Sequence, residues 1–387
     1  MNLWRQPQLF HLPTDSFLLF NQTPWRHEMK KHFAALGILA ILATSCSSST
    51  ASTDSTVSTS DSTAGPVTLT LLAHDSFTPT PGIFDAFTAD TGIAVEVIQS
   101  GDAGQLVTKA VLTSGNPEGD VLWGVDNTLL SRALEADVFS AYETPNTASM
   151  SAALLRDIPG HEVTPVDSGD VCINYDIDWF KTHNIAPPLT LEALIGKQYA
   201  NLLVVPSALS SSPGLAFLMA TIAEFDTDGW QSYWKSLREN GVLVVDGWTQ
   251  AYNTEFSGAS GKGDRPIVVS YSSSPPAEVI FADPPVDAAP TAVASLTCFE
   301  QIEYAGILRG TKHMAEAKLL IDYLTDLVFQ NDLPLTQFVF PVHSGAVLPE
   351  AFTKYALRPE NPLRLDANVI ATNRTAWLDE WSAIVLK

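Results

Sequence analysis

The chain has 387 residues, a formal net charge of -22 and an isoelectric point near 4.5. So acidic a balance argues against nucleic acid as a partner and against adsorption to anionic lipid headgroups. Three cysteines and eight histidines, none in an HxxxH pair, give no zinc-site spacing, and neither a metal nor a cofactor is expected.

Along the chain, residues 1–28 carry no organised signal. Met29 then opens a basic start of Lys30, Lys31 and His32, followed by an apolar run from Phe33 to Ala43 and by Thr44, Ser45 and Cys46. That layout is a signal peptide, whose apolar run of eleven residues is too short to span a bilayer. With cysteine after the small residues, it resembles a bacterial lipoprotein signal. Residues 1–45 would then be leader and signal, with 1–28 either an unusually long leader or the result of a misassigned start. Cys46 would be lipidated, each buried acyl CH₂ contributing about 0.8 kcal/mol. Residues 46–65 are rich in Ser and Thr, with no apolar periodicity to bury, and read as a flexible tether.

Residues 66–387 exceed one ordinary core and suit two lobes. VTLTLLAH (67–74) is a continuous apolar run of buried-strand type, and a helix is expected over Gly82–Thr91. IAVEVIQS follows as a strand, Ala103–Ser114 as a helix, DVLWGVD (120–126) as a strand and LLSRALEA as a helix. This alternation predicts an α/β fold with largely parallel sheets, in which ligands sit at the carboxyl ends of strands. The polar corners there are His74, Asp75 and Ser76, then Gly101 and Asp102, then Asp126 and Asn127. Ser and Asp at such corners also serve as helix caps.

A second run of the same kind starts at VCINYD (171–176) and continues through LLVVPSALSSSPGLAF. Ser210, Ser211, Ser212, Pro213 and Gly214 open an apolar helix there, and its exposed N–H groups would suit an anion. The stretch from Asp246 to Pro275 follows: DGWTQAY, a Gly/Ser-rich excursion, and IVV closing on SYSSSP. Trp248 and Tyr252 stand four residues apart, one helical face, while Tyr271 sits where a strand runs out. Aromatic faces beside clustered hydroxyls suit a flat cation, at about 0.5 to 2 kcal/mol per ring. Cys172 and Cys298 either pair or remain two buried thiols.

LTLLAHDSF (69–77), WGVDNTLL (123–130), SSPGL (211–215), DGWTQAY (246–252), SYSSSP (270–275), VFQNDLP with FVFPV (328–342) and TAWLDEW occur in one order along nearly the whole mature chain. In that order and spacing the chain resembles the thiamine-binding solute receptors of bacterial ATP-binding-cassette importers. The resemblance implies a two-lobed periplasmic-binding-protein fold of the iron-binding type, each lobe a mixed, mostly parallel sheet flanked by helices. It implies lobe 1 from 66–168 and 291–345, lobe 2 from 169–290 and 346–387, and a ligand in the cleft between them. Trp248 and Tyr271 would be aromatic walls, with Tyr252 supporting Trp248. Asp102, Ser211 and Ser212 would address the polar end of the ligand, where a phosphate can sit. His74, Asp75, Ser76, Ser272 and Phe338 would line the same cleft.

The chain departs from the family pattern at His74, where a Tyr is usual, at Phe338, where a Trp is usual, and at Ala277, where a ring is usual. A Trp usual a few residues after DSF is also missing from TPTPG. The implied function is a non-enzymatic, monomeric receptor, lipid-anchored outside the cell membrane. It would capture thiamine or a thiamine phosphate for a permease. Alternatives are a receptor for a thiamine-related pyrimidine, a ferric-ion receptor, and a thiamine-degrading transferase using Cys172 as nucleophile.

Overall fold

The computed structural model describes residues 67–387 apart from Pro159 and Ser260. The signal peptide, Cys46 and the tether lie outside the described residues. The first βα units form where the apolar runs predict them: β1 (Thr68–Ala73), α1 (Asp85–Thr91), β2 (Ala94–Gln99), α2 (Ala103–Leu112), β3 (Val121–Asp126) and α3 (Leu130–Glu135). The first helix starts at Asp85 instead of Gly82, because residues 81–84 make a turn that includes Gly82 at φ 82°. Two strands follow, β4 (Phe139–Ser140) and β5 (Thr164–Ser168).

The chain then crosses to a second sheet with β6 (Val171–Asp176), α4 (Ile177–His183), β7 (Leu203–Pro206) and α5 (Ser212–Glu239), a helix broken at Asp226. Next come β8 (Leu243–Val245), α6 (Trp248–Gln250), β9 (Ile267–Tyr271), α7 (Pro275–Ile280) and β10 (Thr291–Phe299). β11 (Ile302–Leu308) returns to the first sheet, followed by α8 (Met314–Leu324), α9 (Leu327–Gln330), α10 (Leu333–Thr336), β12 (Phe340–Pro341), α11 (Glu350–Tyr355) and α12 (Ala367–Val385). Among the described residues, no helix is long and apolar enough to cross a membrane.

The first sheet has the order β12-β5-β11-β3-β1-β2, with β4 on β11, and the second has β10-β6-β9-β7-β8. Each is mixed. β1 pairs in parallel with β2 and β3, and β7 with β8 and β9, which are the strands reached through crossover helices. The others join antiparallel: β5 leads directly across to β6, and β10 to β11, at the two crossings between sheets. Residues 291–299, assigned above to lobe 1, belong to the second sheet as β10. They pair with β6, and Cys298 is bonded to Cys172 there (S–S 2.02 Å). A bridge spanning 126 residues restricts the unfolded chain, a contribution of about 2–4 kcal/mol.

One core covers a face of the first sheet alone, and a larger one is shared by the other face of that sheet, through Leu72, Leu122 and Val125, and by the second sheet. Leu69, Leu71, Trp123, Ile307 and Phe329 fill one face of the first, and α5 packs Phe217, Trp230 and Trp234 into a larger core that also holds Ile173 and Val205. Two crossings lie side by side, at Gly169–Asp170 and Glu300–Gln301, and the Gly169 N–H donates to the Gln301 carbonyl (3.2 Å). The polar corners of both sheets meet beside these crossings.

Candidate ligand-binding site

A cavity of roughly 390 Å³ opens between the two sheets, within the size range of small-molecule pockets. One side comes from the first sheet. The chain leaving β1 turns at His74–Asp75–Ser76, with the Asp75 N–H bound to the Gly101 carbonyl (2.8 Å) and Phe77 buried against Trp123 (5.2 Å between rings). Gly124 lies at φ 120°, and a Cβ there would sit 2.9 Å from the His74 ring, so glycine is what lets the imidazole lie across β3.

Below His74 are two acids that the sequence analysis did not single out. Glu303 on β11 stands directly opposite Asp167 on β5. Like charges in that position repel, and burial further disfavours two carboxylates. Burial first, and then Glu303, push the Asp167 carboxyl well above the usual carboxylate range. Burial acts on Glu303 in the same direction, but His74 (3.4 Å), Asp167 and the Trp123 indole N–H (2.9 Å) together outweigh it and lower its pKa. Burial opposes the imidazolium of His74, yet Glu303, Asp102 and Asp75 together raise its pKa.

The other side comes from the second sheet. After β8 the chain enters a single helical turn at Trp248 that widens into a π-helical stretch over Ala251–Glu255, a feature frequent at functional sites. Trp248 stacks on Tyr252 (5.1 Å, 14° between planes) and leans on Tyr271 (6.0 Å). Its indole N–H donates to the Ser270 hydroxyl (2.9 Å), which pairs with Ser274 (2.8 Å). Tyr252 is 3 % exposed, and its hydroxyl lies toward Glu278 without completing a hydrogen bond. Burial of Glu278 raises its pKa, against the pull of Tyr252.

Asp102 joins the two sides. Its Oδ1 accepts from the N–H of Ala103 (2.7 Å) and of Ser212 (3.2 Å), and its Oδ2 from the N–H of Trp248 (3.0 Å). The starts of α2, α5 and α6 thus converge on one carboxylate. Burial raises its pKa while the Trp248 N–H opposes that. Ser76 and Thr249 bridge the cleft through their hydroxyls (3.0 Å), and Asp126 takes the Ser212 hydroxyl and the Gln301 amide (3.1 Å). At the mouth, Phe281 meets Phe338 edge to face (5.4 Å). Phe338 holds φ 53°, a conformation unfavourable for a bulky residue.

Of the residues singled out from the sequence, His74, Asp75, Ser76, Asp102, Ser212, Trp248, Tyr271 and Phe338 line the cavity. Ser211 and Ser272 do not. Ser211 is buried, its hydroxyl turned toward Asp102 without closing a hydrogen bond. Ser272 follows Tyr271 just past β9, so its buried side chain points away from the face Tyr271 presents. Tyr252 supports Trp248 and also lines the cavity, as do Asp167, Glu278, Phe281, Gln301 and Glu303. Ala277 lies at the wall with no ring to offer. The available signal for the missed acids was a lone carboxylate inside an apolar strand, as in IEYAGIL.

Two mixed sheets joined by short crossings, with a polar and aromatic cavity between them, define a solute-binding protein of the periplasmic type. The sequence pattern of the bacterial extracellular solute-binding proteins matches residues 116–373, and the chain belongs to that family. It is similar to the thiamine-binding periplasmic protein of Escherichia coli (strain K12), 28% identical over 325 residues, 82% of this chain and 93% of that one. The thiamine-binding periplasmic protein of Haemophilus influenzae is 24% identical over 324 residues, 79% of this chain and 91% of its own. Among solved structures, a periplasmic thiamin binding protein superposes with a TM-score of 0.71 at 25% identity, over 82% of this chain and 96% of that one. The ferric binding protein of Campylobacter jejuni shares the fold, with a TM-score of 0.66 at 16% identity over 82% and 99% of the two chains.

The chain is therefore a solute-binding protein and not an enzyme. In keeping with this, Cys172 is bonded to Cys298 and has no thiol to act as a nucleophile. Among the described residues, no three His, Cys, Asp or Glu side chains are grouped to hold a metal ion.

Proposed function

We propose that the protein is the receptor of an ATP-binding-cassette importer and captures thiamine, or a close relative of it, in the cavity between its sheets. One observation carries the reading. The Trp248, Tyr252 and Tyr271 rings face a cavity lined also by Asp75, Asp102, Glu278 and Glu303, with no Lys or Arg among the described residues that line it. Thiamine is a flat heteroaromatic cation, and rings with nearby carboxylates stabilise such a charge. The similarity to thiamine-binding periplasmic proteins over four-fifths of the chain supports the same ligand.

In this reading Trp248 and Tyr271 are the stacking walls, Tyr252 backs Trp248, and His74, Asp75, Ser76, Asp102, Ser212 and Phe338 surround the ligand. The lobes move about the crossings at 169–170 and 300–301, and the closed form is what a permease receives. Cys46 carries the lipid that holds this monomeric receptor at the outer face of the membrane. The test is isothermal calorimetry on the chain beginning at Cys46. Thiamine should bind with a 1:1 stoichiometry and quench Trp fluorescence. Absence of heat with thiamine, its phosphates and its pyrimidine fragment would refute the reading.

A further inference from the structure

The α7 helix turns one face to the cavity. Ser274, Ala277, Glu278 and Phe281, spaced as i, i+3, i+4 and i+7, all line it. Burial falls away along that face: Ser274 is buried, Ala277 and Glu278 are half-buried, and Phe281 is 70 % exposed. The face therefore climbs from the interior of the cavity to its mouth, and its one aromatic ring stands at the top.

Phe281 is fixed there by its backbone, whose N–H donates to the Ala277 carbonyl (2.9 Å). Among the described residues its ring belongs to none of the packed cores. It meets Phe338 instead, edge to face, at 5.4 Å and 69°. Phe338 stands on the side of the first sheet, between α10 and β12, with its N–H on the Leu333 carbonyl (3.0 Å) and φ at 53°. A bulky residue keeps such a conformation only where its surroundings dictate it, and such residues cluster at ligand clamps. The two rings come from opposite sides of the cleft, so they touch only while it is closed. A phenyl group left mostly in water contributes little to folding, which leaves the mouth of the cavity as its place of action.

We propose that Phe281 is a specificity-determining residue of this site: with Phe338 it closes the mouth over a bound flat cation, offers a second aromatic face at the exposed end of the ligand, and slows its escape. The inference rests on the thiamine reading above and adds a contact to it. A ring face attracts a cation, and a cover that forms after entry acts on the dissociation rate more than on the association rate.

Stopped-flow Trp fluorescence on the chain from Cys46, mixed with thiamine, reads both rates. In Phe281→Ala dissociation should quicken about threefold to tenfold, with association changed by less than about twofold. The melting temperature should stay near that of the wild type, because the ring lies outside the cores. Phe281→Leu keeps an apolar cover but loses the ring face, and should release thiamine faster than the wild type. Because the rings act as a pair, adding Phe338→Ala to Phe281→Ala should quicken release little beyond the faster of the two single variants. An unchanged dissociation rate in Phe281→Ala overturns the proposal while the thiamine reading stands. A wild-type rate in Phe281→Leu overturns the part given to the ring, and fully multiplied effects in the double variant overturn the pairing. If the wild type shows no signal with thiamine, both the reading and the inference fall.

Discussion

Trp248 is held from four directions at once. Its ring stacks on Tyr252 and leans on Tyr271, its indole N–H is tied to Ser270, and its backbone N–H to Asp102. A ring fixed in that way offers its exposed face without losing rotamer freedom on binding, which is where anchor residues gain their energy. Trp248→Ala should therefore lower thiamine affinity by about tenfold to a hundredfold. The melting temperature should fall little, because the ring is only half-buried. Calorimetry beside a thermal melt separates the two effects, and an unchanged affinity would remove Trp248 from the site. Asp167 and Glu303 show the same economy at the other wall. Opposed across two strands and buried, they are pushed apart in pKa, Asp167 upward by burial and by Glu303, and Glu303 downward because His74, Asp167 and Trp123 together outweigh its burial.

The elements meet most closely where α2 approaches the loop before α5. A Cβ on Gly104 would lie 2.5 Å from the Ser210 carbonyl oxygen, which is backbone and cannot swing away. Gly104→Ala should leave α2 intact, since alanine favours helix by about 1 kcal/mol over glycine. It should nevertheless push the two lobes apart and stretch the Asp102 bonds to Ser212 and Trp248. The expected result is a weaker affinity, by about tenfold, with an unchanged circular dichroism spectrum and a larger radius of gyration in solution scattering. An unchanged affinity would show that the approach is not needed for binding.

This is also the scale at which sequence and structure diverge. β1, β3, β6 and β9 were legible because TLTLLA, VLWGVD, VCINYD and IVVSY are apolar runs bounded by polar corners. β4 and β12 have two residues each and carry no periodicity to detect. β10 was placed with the wrong sheet because its partner β6 lies more than a hundred residues earlier, and no local pattern states which sheet a strand joins. The aromatic wall was legible from the i, i+4 spacing of Trp248 and Tyr252. The acids of the floor were not, because a single Asp in TPVDS or Glu in IEYAGIL becomes meaningful only once β5 and β11 are paired.

At the scale of the molecule, the crossings between the sheets carry a titratable group. Asp170 lies in one of them, and burial pushes its carboxyl up to about 7, with Glu300 adding to the shift and the Gln301 N–H and Arg358 opposing it. Glu300 is itself engaged by Arg156 and by Arg364 (3.1 Å), so this is a charged seam at the crossings. A carboxyl raised in the folded state keeps a proton that the unfolded chain releases above about pH 4. Its contribution to stability therefore declines as pH rises from about 4 to about 7 and is level above that. Asp170→Asn should remove this component, so that the variant gains on the wild type over that window. Melting temperatures of both proteins from pH 4 to pH 8 decide it, and parallel curves would exclude Asp170 as the source.

The cleft is fastened by the chain's own atoms: Asp102 to Ser212 and Trp248, Ser76 to Thr249, Asp126 to Ser212, and Phe281 to Phe338. None of these contacts needs cargo to form, and separating the lobes breaks them. On the proposed reading these fastenings resist opening of the cleft whether or not cargo is present. Stacking on Trp248 and Tyr271 would then act on how firmly a ligand is held, and the seam both on that and on how long the cleft takes to open. A substitution at Ser76 or Thr249 would then tune residence time without altering the Trp248 and Tyr271 rings.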